Sequence, residues 1–191
     1  MKELSKYTFL AASSTFVLSL VSPFIVIYFI DNLGIKIGAI GLLFAVQTAA
    51  RFVSSIPSNW LGDKLMRKPF MILGSLGGAF TFYMLTRVTQ VNQIVFILLL
   101  SGFFSGLSSV SSGFFANLTK GAKRGKKLGV FGMMTGLAGA AALLIGARAI
   151  EMFGFTFMFY IAAVVCIFEA IFLLFISQEE TESASDTTSK E

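Results

Sequence analysis

The sequence predicts an all-α integral membrane bundle of six transmembrane helices. Three observations carry that prediction. Hydrophobic side chains make up 55% of the 191 residues and charged ones 13%, with a mean hydropathy of +0.82, against about 25% charged residues in average soluble chains. Phe occurs 22 times and Gly 18 times, which suits a bilayer, where Gly is commoner in helices than it is in water. Apolar runs recur along the whole chain, and a chain of this size has room for about six spans of roughly 20 residues each with short loops.

The spans are read over residues 8–30, 37–60, 70–86, 91–118, 128–150 and 155–176, each break being marked by charge or turn chemistry. Residues 1–7 form a cytoplasmic N-terminus ahead of the first span. Lys2 and Lys6 give that run the look of a secretion signal, but its roughly 23 residues exceed the 7–15 of a signal's apolar region, so it is read as an uncleaved span. The second span follows the turn Asp31-Asn32-Leu33-Gly34. The third follows Gly62-Asp63-Lys64 through Lys68-Pro69. Arg87 to Gln93 precede the fourth, Lys120 to Lys127 the fifth, and Glu151 to Gly154 the sixth. The tail, residues 177–191, holds five acids and one Lys and cannot bury enough apolar surface to fold. It reads as a disordered acidic cytoplasmic end or as the beginning of an interdomain linker.

Orientation follows from where Lys and Arg fall. With the N-terminus inside, the inner side collects ten: Lys2, Lys6, Lys64, Arg67, Lys68, Lys120, Lys123, Arg124, Lys126 and Lys127. The outer side has three, Lys36, Arg87 and Arg148. Both termini are expected in the cytoplasm, with the chain in the cell membrane. The pI near 9.5 then reflects topology and contact with anionic membrane lipids, not nucleic-acid binding. Histidine is absent and Cys166 is the lone cysteine, which excludes His-based acid–base catalysis, Cys/His zinc sites and an intramolecular disulfide. No nucleotide-phosphate loop of the form G-x-x-x-x-G-K-[ST] occurs either. The expectation is a protein that is not an enzyme, with no cofactor and no metal.

The stretch from Asn32 to Phe70 is the most informative. Asn59-Trp60-Leu61-Gly62-Asp63-Lys64-Leu65-Met66-Arg67-Lys68 resembles the loop G-x-L-a-D-R-x-G-R-K between spans two and three of the major facilitator superfamily. It matches at Leu61, Gly62, Asp63, Lys64, Arg67 and Lys68, with two glycines of the pattern replaced by Asn59 and Met66. The preceding Asn-Leu-Gly-Ile-x-x-Gly-x-Ile-Gly-Leu-Leu-Phe is similar to the family's opening of span two, and Lys123 to Gly129 to its opening of span five. The resemblance implies the N-terminal six-helix half of such a transporter, built as a 3+3 pair of inverted repeats. In that family the loop's acid and its basic neighbours lock the outward-facing state. The resemblance therefore implies a gating cluster of Asp63 with Lys64, Arg67 and Arg124. The alternative is inside-positive topology without gating.

Polar side chains in a bilayer face the bundle interior or a cavity. Thr15, Ser19 and Ser22 form one helical stripe of span one, and Ser101, Ser105, Ser108 and Ser112 one stripe of span four, while Gln47 and Thr48 lie mid-membrane in span two. The family's architecture implies that spans one, two, four and five surround the central path, which these residues would line. Small residues also let helices approach closely, and Gly102/Gly106, Gly125/Gly129 and Gly132/Gly136 fit that role, as do the serines. Arg51 and Glu169 are charges inside apolar runs, each costing at least about 2.5–3.5 kcal/mol near the bilayer centre and each needing a partner or water. Arg51 is a candidate for an anionic solute. Glu169 is a candidate for titrating and coupling transport to protons, or for pairing with Arg51 or with another helix. Span four lacks the Arg before its Gly, and span five the Gly-Pro pair, of the family's proton-driven drug exporters.

Family members normally carry twelve spans in two bundles. The function expected is secondary transport of a small-molecule solute by alternating access, with a second six-span bundle supplied by a second copy, a separate chain or a missing C-terminal half. The alternative is a non-transporting membrane interaction protein derived from a half-transporter.

Overall fold

In a bilayer every backbone N–H and C=O must be paired within the protein, and a Leu-, Phe- and Ala-rich chain does so as helix. In the computed structural model the described residues, 2–64, 67–109 and 124–175, form five helices and no strand. These are α1 (Lys2–Asp31), α2 (Ile37–Lys64), α3 (Arg67–Leu85), α4 (Val91–Ser108) and α5 (Arg124–Phe175). Four are long and apolar enough to cross a membrane: α1 over Thr8–Asp31, α2 over Ile37–Gly62, α4, and α5 over Leu128–Phe175. Helix α3, the expected third span, is not among the four.

The boundaries shift for local reasons. Helix α1 continues back to Lys2, and α2 runs on through the signature loop to Lys64. The expected fifth and sixth spans appear as one element, α5, whose 52 residues are interrupted at Gly154 (φ +80°, ψ 175°). That backbone conformation is open to Gly at little cost, and it divides α5 into two arms where the sequence placed a break. The other positive-φ residue, Gly34 (φ +63°), turns the chain out of α1. Its N–H and that of Ile35 donate to the carbonyls of Ile30 (3.1 Å) and Phe29 (3.0 Å). At the start of α4, Gln93 Oε1 accepts from the backbone N–H of Thr89 (3.0 Å) and Gln90 (3.3 Å), covering donors a helix start leaves unpaired.

Helix α1 lies along α5 and α2 along α4, while α3 packs against both α4 and α5. At the end holding the α1–α2 and α3–α4 turns, Phe29, Ile94, Met158 and Phe159 are fully buried. There the Tyr28 hydroxyl donates to Leu85 O at 3.3 Å, with its ring edge-on to Phe159 at 5.1 Å. At the opposite end Leu10, Met71 and Leu173 pack with Ile72 and Phe172. Lys68 Nζ donates to Leu174 O at 3.0 Å, one of the carbonyls that the last turn of α5 leaves open.

The α2–α4 seam is a close approach. A Cβ on Gly106 would meet Ser54 Oγ and lie 2.6 Å from Arg51 O, and one on Gly102 would meet Gln47 O and lie 2.9 Å from Ala50 Cβ. Polar bonds run along the same seam: Gln47 Nε2 donates to Ser101 Oγ (3.1 Å), Ser54 Oγ to Phe103 O (3.0 Å), and Asn59 Nδ2 to Ser109 Oγ (3.1 Å). Asn59, standing where the family pattern has Gly, thus ties the end of α2 to the end of α4. Large apolar side chains such as Leu18, Phe52, Val53, Ile56, Leu144 and Val164 remain exposed around the outside. In water so much apolar surface marks an interface; in a membrane it meets lipid.

Candidate functional site

Glu169, on the second arm of α5, is only 5% exposed. Two hydroxyls of α1 reach it: Ser13 Oγ donates to Oε1 at 2.9 Å and Ser14 Oγ to the same oxygen at 2.7 Å. A serine hydroxyl has one hydrogen to give, and Ser13 Oγ also lies 2.9 Å from Leu10 O, so its bond to the carboxylate alternates with one to its own helix. Among the described residues Glu169 forms no ion pair; the pair present is Arg148–Glu151 at 3.0 Å, on the surface.

A cavity of about 190 Å³ opens beside the carboxylate. It takes Ser14 from α1, Gln47 from α2, Ser75 and Thr81 from α3, and Cys166 and Glu169 from α5. Helix α4 presents Ser101, Ser105 and Ser108 to it, and Val17, Phe82 and Leu173 are part of its apolar wall. The space admits several water molecules, at about 30 Å³ each, and falls below the roughly 300–1,000 Å³ of pockets that enclose drug-sized ligands.

The candidates read from the sequence divide among several places. Gln47, Ser105, Ser108 and Glu169 share this cavity. Thr15 and Ser19 instead face the first arm of α5, where a Cβ on Gly139 would lie 3.1 Å from Ser19 Oγ and 3.7 Å from Thr15 Cγ2. Ser22, Thr48 and Arg51 are exposed on the bundle surface. Arg51 forms no ion pair among the described residues, so Glu169 and Arg51 are not partners. In the signature loop Gly62 is buried and Leu61 half-buried. The side chains of Asp63, Lys64, Arg67 and Arg124, and all of Ser112, lie outside the described residues, so the gating cluster does too. The sequence reading did not single out Ser13, Ser14, Ser75 or Thr81. Their hydroxyls in apolar runs were a signal, but the chosen stripe lay on another face of α1.

Together, fold and site define a multi-pass helical membrane protein whose bundle holds a half-open cavity, with hydroxyls and one carboxylate set in a largely apolar wall. The family model of the Major Facilitator Superfamily matches residues 7–191, and the chain belongs to that family. It is 29% identical over 165 residues to the staphyloferrin B transporter of Staphylococcus aureus, covering 82% of this chain and 40% of that protein. It is 31% identical over 157 residues to the multi-drug resistance efflux pump PmrA of Streptococcus pneumoniae, covering 76% of this chain and 39% of that protein. The chain therefore spans well under half the length of these two relatives. It is also 22% identical over 160 residues to the uncharacterized MFS-type transporter YitZ of Bacillus subtilis, covering 83% of this chain and 97% of that protein.

Proposed function

We propose that the chain is a six-span half of a secondary transporter that moves a small solute by alternating access together with a second six-span bundle. The carrying observation is the family match over residues 7–191, joined by relatives named as transporters. Alternating access in this family is one bundle rocking against another about a site between them. Features of the bundle surface support a second bundle as partner. Gly129, Gly132 and Gly136, on the first arm of α5, have nothing within 4 Å of an added Cβ, which leaves room for a helix from outside. Thr48 and Arg51 are exposed on α2 at membrane depth, where a guanidinium needs a partner or water. In this reading both termini lie in the cytoplasm, Asp63 with Lys64, Arg67 and Arg124 gates the cytoplasmic end, and Arg51 faces the solute path. An antiparallel second copy is disfavoured by the ten-to-three bias of Lys and Arg between the two sides.

Flux across vesicles tests it. The complex extracted from its own membrane is reconstituted, and counterflow is measured for staphyloferrin B and a panel of drugs, the solutes in the relatives' names. Saturable flux above protein-free vesicles is expected for at least one solute. Arg51→Gln is expected to cut the rate for an anionic solute about tenfold or more while leaving the amount of folded protein unchanged. An assembled complex that moves nothing in the panel favours the interaction-protein reading instead.

A further inference from the structure

We propose that the cavity beside Glu169 binds a small monovalent cation of the sodium type, held by residues of this one bundle. The carboxylate is 5% exposed, and both of its hydroxyl donors converge on Oε1. Oε2 has no hydrogen-bond donor among the described residues. A buried carboxylate left without counter-charge is costly, so it is neutralised or paired.

Among the described residues no side chain supplies that charge. Lys68 of α3 is held at Leu174 O, Arg51 of α2 is exposed, and the described part of α4 carries no ionisable residue. On α1, residues 8–30 are likewise uncharged. Cys166, one turn before Glu169 on α5, is the other ionisable group lining the cavity, and it carries no positive charge. With no counter-charge among the described residues, a cation from outside the chain is what the site is open to.

The surroundings favour a metal cation over a bare proton. A proton needs no room, whereas here a cavity of about 190 Å³ adjoins the carboxylate, and hydroxyls from three helices enter its otherwise largely apolar wall, among them Ser14, Ser75, Ser105 and Ser108. Oxygen donors of this kind suit hard cations. One carboxylate balances one positive charge, and among the described residues no group of three His, Cys, Asp or Glu is placed to hold a metal of higher charge.

The test is binding of radioactive sodium to the full chain in lipid nanodiscs at fixed pH, with the thermal midpoint followed in parallel. Expected are saturable binding displaced by unlabelled sodium but not by choline, and a higher midpoint in sodium than in choline at equal ionic strength. Glu169→Gln abolishes both, and Ser75→Ala or Ser105→Ala raises the half-saturating sodium concentration severalfold. Identical behaviour in sodium and choline overturns the proposal, and so does binding that survives in Glu169→Gln. A midpoint that responds to pH but not to sodium assigns the counter-charge to a proton and also overturns it. If Glu169→Gln does not fold, the sodium–choline comparison on the unaltered chain decides alone. The readout involves no solute, so its failure leaves the transport proposal standing.

Discussion

Ser14 on α1 reaches a carboxylate that lies 155 residues later in the chain. With the bond from Ser13 to the same oxygen, it ties α1 to α5 around a buried carboxylate. A hydrogen bond to a charged group contributes about 1.5–3 kcal/mol, and the carboxylate here has few other partners. Ser14→Ala is therefore expected to lower the thermal midpoint in detergent by several degrees. Ser22→Ala, at an exposed position of the same helix, is expected to leave it within about a degree; equal effects would show that the bond to Glu169 contributes nothing special. The charge itself was legible in the sequence as an acid inside an apolar run. Its partners were not. Ser13 and Ser14 precede Thr15 by two and one positions, and at about 100° per residue they point away from the Thr15–Ser19–Ser22 stripe. Periodicity shows which side chains share a face of one helix, but not which neighbour that face meets.

At the scale of elements, small residues sort into two kinds that the sequence alone cannot separate. Gly102 and Gly106 sit where α4 presses on the backbone of α2, whereas Gly132 and Gly136 meet nothing within 4 Å, although each pair has the same four-residue spacing. Gly106→Leu is expected to push the two helices apart and abolish a monodisperse peak in size-exclusion chromatography. Gly132→Leu is expected to keep the bundle folded. Loss of both variants alike would mean that the first arm of α5 is packed more tightly than this bundle shows. The helical character of the chain and most turns were legible, because Asp-Asn-Leu-Gly and the break before Phe155 carry their own turn chemistry. At Gly154 the break came where Glu151 to Gly154 marked it, but as a single residue at φ +80° within one element, not as a separate loop.

For the whole molecule, membrane character follows from composition, and membership of the Major Facilitator Superfamily from the match over residues 7–191. The cavity inside the bundle follows from neither. It forms because α3, whose Ser75 and Thr81 stood out in no pattern, packs between α4 and the second arm of α5. In the proposed function this bundle rocks against a second one. The most direct measurement is the native mass of the complex extracted gently from its own membrane. The account predicts either about twice the 20.7 kDa of the chain or an assembly with a second six-span bundle, either of which encloses a shared path. A stable particle of one 20.7 kDa chain would contradict it, because one bundle alone has nothing against which to alternate.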